Sequence, residues 1–543
     1  MIKNFFNLLH KDIDGLHKAA YILGISSFLS LLLALLRDRL LAHSFGAGEI
    51  LDIYYASFRI PDFIFISVAS MVSISVLIPF LAKEKNEQDS KEFMNEIFSF
   101  FFLVIMSVSL LIFFVTPKLT PLIFKGFSVE SLEKVILLTR IMLLSPILLG
   151  FSNFFTSIIQ VQKKFFVYAL SPILYNLGII MGIIAFYPLW GIKGLAFGVI
   201  LGALLHLLIQ FPSIYKLGFI PRPDFVFHFH KIKKIIALSL PRTLALSSGS
   251  LVILILISMA SLMKEGSITI FNFALGLQMV PLNIIGISYS IASFSTLSKF
   301  TIHQKEDFLK QITITARYII FWTIIVSVFF IVLRDQIVKI VLGSGKFGLE
   351  DIRLTAACIA IFAISMTAQS LILFFTRGYY AMGITKRPVI INIMSSASIV
   401  IFVLLFKKLF VINSFFQENL GGILNVNNID NLNILILPLS YSLGMIINIS
   451  LLLFLFKKDF GYSLKDLGRS FFQVLIASVI IGIVTYFILG FFANFLNVNT
   501  FSGVFLQSLF AGLGGSIILI FILVLMKNRE VGEILSFVRG KRK

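Results

Sequence analysis

The sequence predicts an all-α polytopic membrane protein of about 14 transmembrane helices, arranged as two six-helix lobes with pseudo-twofold symmetry plus a C-terminal helix pair. Three observations predict it. First, the 543 residues are 58% hydrophobic and only 13% charged, with a mean hydropathy of +0.99, whereas a soluble domain is about 25% charged. Second, 60 phenylalanines and abundant Ile and Leu recur in blocks of about 20 residues divided by short charged segments, the length an α-helix needs to cross ~30 Å of hydrocarbon. A β-barrel would show short alternating strands instead. Third, two pieces of sequence recur in order at a displacement of roughly 220 residues.

Residues 1–18 read as a cytoplasmic N-terminal segment. They lack a short apolar core followed by a small-residue cleavage site, so the first span is expected to direct insertion itself. Apolar run lengths then place spans near 19–43, 58–82, 93–117, 135–158, 166–188 and 190–214 in an N-terminal lobe, 19–215. A basic inter-lobe loop covers 216–234. The second lobe, 235–456, holds spans near 235–263, 266–293, 312–334, 354–376, 388–406 and 433–456. Accessory helices 13 and 14 lie near 470–494 and 502–526, within 457–526, and a basic tail covers 527–543. The polar stretch "FQENLGGILNVNNIDNLN" (416–433) reads as an ordinary outside loop.

The repeat pairs "IYYASFRIPDFIFISVASMVSIS" (53–75) with "IFNFALGLQMVPLNIIGISYSIAS" (270–293), and "QVQKKFFVYALSPILYNLG" (160–178) with "AMGITKRPVIINIMSSAS" (381–398). Six spans per repeat give both lobes the same orientation, and substrate sites in such transporters commonly sit near mid-membrane between lobes. The net charge of +20 invites a nucleic-acid reading, but its distribution favours topology. Segments on the N-terminal side of the membrane hold roughly 29 Lys and Arg against roughly 13 opposite, as the positive-inside rule expects. Both termini are therefore expected in the cytoplasm, with no nucleic-acid partner.

"RDRLLAHSFGAGEILDIYYASFRIPDF" (37–63) places three arginines and three aspartates between two apolar stretches. An ionisable group at the bilayer centre costs about 2.5–3.5 kcal/mol on insertion scales, so each needs a partner or a wet cavity. Ser26, Ser30, Leu33 and Arg37 share a helical face, which directs hydroxyls and a guanidinium toward a lobe interface. The alternative is that Arg37, Asp38 and Arg39 end the span and snorkel to headgroups. Gly46 and Gly48 suit a chain reversal. Asp52 and Arg59, seven apart, can share a face of span 2, or Asp52 pairs with Arg37 or Arg39 to hold the turn. Arg242, after Pro241, is placed either at the inner mouth of a cavity or as an anchor of span 7. Arg317 reads as an inner anchor, and Arg140 has no evident partner. His206 and Asn176 read as interhelical hydrogen-bonding groups.

Catalytic constellations are missing from the sequence. It contains no P-loop, no helical His/Glu metal set, no Ser-Lys pair and no Gly-x-Ser-x-Gly element, so neither an enzyme nor a cofactor is implied. Cys358 stands alone. His228 and His230 flank Phe229, where aromatic packing is a plainer expectation than a metal.

"LLRDRLLAHSFGAGEILDIYYASFRIPDFIF" (35–65), "YALSPILYNLGIIMG" (168–182), "LPRTLALSSGS" (240–250), "FNFALGLQMVPLNIIGISYSIASFSTLSK" (271–299) and "FFTRGYYAMGITKRPVIINI" (374–393) resemble, in order, the MurJ (MviN) family of lipid II flippases. That family sits within the multidrug/oligosaccharidyl-lipid/polysaccharide exporter superfamily. The resemblance implies two lobes around a central cavity and a terminal helix pair that holds a lipid tail. It also implies alternating-access transfer of the lipid-linked peptidoglycan precursor from inner to outer leaflet of the bacterial cytoplasmic membrane. A diphosphate headgroup needs cations in a hydrated cavity, and the family supplies several arginines. Of these only the arginine of "LLRD" is matched here, as Arg37; other family positions fall on Leu31, on Phe65 or Ile66, and on Gly276, and a family acidic position is Ser70.

The expected substrate-binding set is therefore Arg37, supplemented by Arg59, Arg242, Asp52 and Ser30. Expected partners are a lipid-linked glycan diphosphate, membrane lipids and cell-wall synthesis proteins. The missing arginines keep two alternatives open: a related exporter of another polyprenyl-diphosphate glycan or of an amphipathic cation, and a non-transporting membrane organiser.

Overall fold

A computed structural model describes residues 16–69, 87–161, 165–218, 220–222, 227–300 and 304–538. All regular structure among them is helical. Hydrocarbon offers no partner for an unpaired N–H or C=O, and a helix satisfies its own backbone within one segment. In chain order the longer helices are α1 (Leu16–Phe45), α2 (Glu49–Ala69), α3 (Glu87–Ile123), α4 (Val129–Met142), α5 (Leu144–Val161), α6 (Phe165–Met181), α7 (Ile192–Leu208), α8 (Phe229–Ala260) and α9 (Ser267–Pro281). There follow α10 (Ser288–Leu297), α11 (Lys305–Val332), α12 (Leu349–Ala381), α13 (Lys386–Ile412), α14 (Ser414–Leu424), α15 (Ile436–Phe460), α16 (Lys465–Ala493), α17 (Phe501–Leu525) and α18 (Arg529–Val538).

Twelve helical stretches among the described residues are long and apolar enough to cross a membrane. The two other predicted spans coincide with α1 and α2, the helices that carry Arg37, Asp38, Arg39, Asp52, Arg59 and Asp62; residues 70–82 of the second lie outside the described residues. Contacts divide the chain into two compact units, Met1–Thr269 and Ile270–Lys543.

In the first unit, α6 and α7 meet backbone to backbone. Lipid tails are as apolar as leucine, so helices in a membrane associate through close packing of small residues. Gly178 and Gly182 on one side face Gly194, Gly198 and Gly202 on the other: a Cβ added at Gly178 would lie 2.3 Å from the Gly202 Cα, and one at Gly198 2.4 Å from the Gly182 Cα. Helix α6 continues into a π-helical turn at Gly182–Phe186, against which Gly194 is pressed. A second apolar core joins Ile60 and Ile64 of α2 to Phe93 and Phe101 of α3 and Phe154 of α5.

The second unit is built around α12, whose most apolar window is 78% buried, so it serves as a protein-facing axis. An aromatic cluster closes one end, with ring centroids 5.0 Å apart for Phe375 and Phe456 and 4.6 Å for Phe456 and Phe460. The accessory pair α16 and α17 packs on α11 at two glycines, where a Cβ on Gly482 would meet Val328 and one on Gly515 would meet Phe329. Phe487, Phe521 and Ile517 on their far sides are exposed.

The stretch 416–433, expected as an irregular loop, instead begins with α14. Asn413 Oδ1 caps it by accepting from the Phe416 N–H at 3.1 Å, and Asn425 ends it in the left-handed conformation at φ 64.

Candidate functional site

Ser30 and Arg37 lie two turns apart on α1, and Asn176 of α6 meets both. The Arg37 Nη1 donates to Asn176 Oδ1 at 3.1 Å. The Asn176 amide nitrogen in turn faces the Pro172 carbonyl at 3.1 Å and the Ser30 hydroxyl at 3.4 Å. Arg37 Nε and Nη2 donate to Asp38 Oδ1 at 2.9 and 2.7 Å. The Arg37 side chain is 25% exposed and that of Asp38 18%. The guanidinium therefore turns toward α6, and three of its five N–H groups are occupied.

Around this core lie groups that sequence reasoning did not single out. Tyr54, Tyr175 and Asp62 are within electrostatic range of one another, and both phenols also lie within range of Arg37. Tyr55 lies within range of both Arg37 and Arg59. For Tyr54, Tyr55 and Asp62 the available signal was the aromatic and charged density of "IYYASFRIPDF" itself. Arg59 Nε donates to the Tyr55 carbonyl at 3.2 Å, and Asp62 is its nearby counter-charge.

Asp52 is placed elsewhere. Its expected pairing with Arg37 or Arg39 is replaced by three neutral donors: the Gly266 N–H at 2.7 Å, the Thr269 N–H at 2.8 Å and the Thr269 hydroxyl at 2.7 Å. Glu265 Oε1 accepts from the Glu49 N–H at 2.7 Å. The starts of α2 and α9 thus cap one another with carboxylates, because the first N–H groups of a helix have no partner of their own and carry partial positive charge. With three of its roughly four acceptor sites used and only 3% of it exposed, Asp52 serves here as a cap on the start of α9. Gly46 makes the expected reversal at φ 68.

Arg242 belongs to α8, but its side chain lies outside the described residues, as do Ser70 and the His230 side chain. Arg140 has a partner after all: its Nε donates to the Phe113 carbonyl at 3.1 Å and its guanidinium lies 4.8 Å from the Phe113 ring centre. Arg317 anchors through an ion pair with Glu530. His206 joins helices, with Nδ1 2.6 Å from the Ser152 hydroxyl, beside Gln210, which donates to the same hydroxyl at 2.7 Å. At the loop before α8, Phe227 packs on Phe100, whereas His228 departs from the expected aromatic packing: its N–H and ring bond buried Glu96. Among the described residues no three metal-ligating side chains converge.

The arrangement offers a half-buried guanidinium with two unused N–H groups, beside tyrosines and a second arginine. It is suited to binding an oxyanion.

Comparison with known proteins bears on what that oxyanion belongs to. A protein of Borreliella burgdorferi described as a probable lipid II flippase MurJ is 26% identical over 382 residues, spanning 68% of this chain and 74% of its own. The solved structure of "Lipid II flippase MurJ, inward closed conformation" superposes with a TM-score of 0.75 at 22% identity, covering 93% of this chain and all of that one. An inward-facing multidrug resistance MATE family transporter of the MOP superfamily superposes with a TM-score of 0.61 at 15% identity, covering 80% of this chain and 97% of its own. These two show a shared fold. Residues 41–507 match the family described as "Lipid II flippase MurJ". Since that match takes in most of the chain, the protein is a polytopic membrane transporter belonging to the MurJ lipid II flippase family.

Proposed function

We propose that this protein carries lipid II, the lipid-linked peptidoglycan precursor, from the inner to the outer leaflet of the bacterial cytoplasmic membrane by alternating access, with both termini in the cytoplasm. No bond is made or broken; the work is moving a diphosphate through a low-dielectric layer, where an unpaired anion is prohibitively costly. The observation that carries this reading is Arg37, held by Asn176 and Asp38 in a partly exposed position with two N–H groups to spare.

Asp38 keeps the guanidinium neutralised at rest, and an incoming phosphate exchanges with it. Ser30 acts through Asn176, and Arg59 and Arg242 supplement the charge. Transfer of lipid II by the purified protein in vesicles tests the reading: an Arg37→Ala protein that folds, inserts and transfers at the normal rate ends it.

A second reading keeps the scaffold and changes the cargo to a simpler polyprenyl-diphosphate glycan, favoured by the uncharged residues at Leu31, Phe65, Ile66 and Gly276. Competition between lipid II and simpler polyprenyl diphosphates for the protein decides between them. Under either, cell-wall synthesis proteins are the partners that would supply and consume the cargo.

A further inference from the structure

At one end of the second unit, beside the starts of α16 and α18 and the end of α17, lies a small cleft partly open to solvent. Its floor is a neutral, pinned group: Glu530 Oε1 accepts from Arg317 Nε at 2.8 Å and from the Ser470 hydroxyl at 2.8 Å, with the two charged side chains 12% and 2% exposed. Its rim is different. Arg469, Lys527 and Arg529 are exposed, and none of the three has a side-chain partner among the described residues.

Asp466 and Gln473 complete the wall, so beyond the Arg317–Glu530 pair three cations face one further carboxylate. The starts of α16 and α18 border the space and add their partial positive charge.

The turn that carries two of these cations is built. Lys527 adopts the left-handed conformation at φ 50, unusual for a side-chain-bearing residue. Buried Asn528 then caps α18 by accepting from the Val531 N–H at 3.1 Å. Helix α18 is held in place by the Arg317–Glu530 pair and by the Tyr318 hydroxyl, which donates to Glu533.

Strong exposed apolar surface begins within a turn of the cations: Phe472 is 62% exposed, Leu525 66% and Phe521 63%. Cations at a helix end followed directly by lipid-facing aromatic and aliphatic side chains fit a phosphate with attached acyl chains better than a free ion.

We infer that this cleft binds the phosphodiester of an anionic membrane phospholipid, with Arg469, Lys527 and Arg529 on the phosphate oxygens, Asp466 and Gln473 accepting from headgroup hydroxyls, and the acyl chains along Phe472, Phe521 and Leu525. The cleft shares no residue with the Arg37 group.

The test uses the full chain in phosphatidylcholine nanodiscs containing a minority of phosphatidylglycerol, with retained lipid counted by native mass spectrometry. The Arg469→Gln/Arg529→Gln double variant is expected to retain about 25-fold less phosphatidylglycerol, each cation near an anionic headgroup being worth about fivefold. A Lys457→Gln/Lys458→Gln control, which removes two exposed cations from the last turn of α15, is expected to retain the wild-type amount. Should the double variant unfold at lower temperature than wild type in the same nanodiscs, Lys527→Gln alone carries the test, with about a fivefold loss expected. Equal retention by the cleft variant, equal loss in the control, equal retention of phosphatidylethanolamine, or displacement of the lipid by tens of millimolar inorganic phosphate would each overturn the inference.

Discussion

At the scale of single residues, the partly satisfied guanidinium of Arg37 sets the expectations. A charge-assisted hydrogen bond contributes about 1.5–3 kcal/mol, so Arg37→Ala should weaken binding of lipid II by at least about tenfold while leaving the helical content unchanged by circular dichroism. Asp38→Asn should act in the opposite sense. It removes the resident counter-charge that the phosphate must displace, so affinity for a diphosphate should rise several-fold in the same binding assay. A fall in affinity would show that Asp38 supports the site instead. The face shared by Ser30 and Arg37 was legible from their spacing on one helix. Asn176 was legible only as an interhelical group, because its partner lies 139 residues away and no local pattern connects them. The same separation hid the partners of Asp52, more than 200 residues downstream: a carboxylate near a chain reversal reads as local turn chemistry, whereas here it serves the start of a distant helix.

At the scale of elements, two features make quantitative claims. Asp52→Ala strips three donors of their acceptor, and losing a helix cap typically costs about 0.5–2 kcal/mol. Thermal unfolding in detergent should fall by several degrees, and Asp52→Asn should recover only part of it. The glycine seam is less forgiving. Gly198→Ala forces a methyl to within 2.4 Å of the Gly182 Cα, so α6 and α7 must separate. Overpacking of this kind costs about 1–3 kcal/mol and more where backbone is the obstacle. Gly512→Ala on α17, where a Cβ meets nothing within 4 Å, should instead be neutral or stabilising by up to about 1 kcal/mol. If both substitutions had the same effect on unfolding temperature, the seam would not be the source of the difference. The spacing of "GIIMG" and "GLAFGVILG" was visible in the sequence, but a small-residue pattern does not say which helix it faces. Helix α14 escaped reading because its Asn- and Gly-rich composition looks like loop until Asn413 and Asn425 are seen acting as its two caps.

At the scale of the whole molecule, the predicted spans fall on helices wherever their residues are described, because the signal is an energetic one that each segment carries alone: enough consecutive apolar side chains to cross the hydrocarbon. What each span packs against is not written in its own run of residues. Thus α12 and α17 are both strongly apolar, yet the best window of one is 78% buried and that of the other 22%, leaving its phenylalanines for lipid. The charge pattern likewise announced a basic C-terminal tail, but not that Arg529 and Lys527 would share a cleft with Arg469, some sixty positions earlier.

The seam between α6 and α7 also has a mechanical meaning. Two rods meshed at their backbones have few side chains between them to slide or re-rotamerise, so they should travel as one stiff lever during any opening and closing. The pivots for such a stroke then belong to the segments outside the seam, and a cross-link placed across it should leave turnover intact where one placed at its ends would jam the cycle.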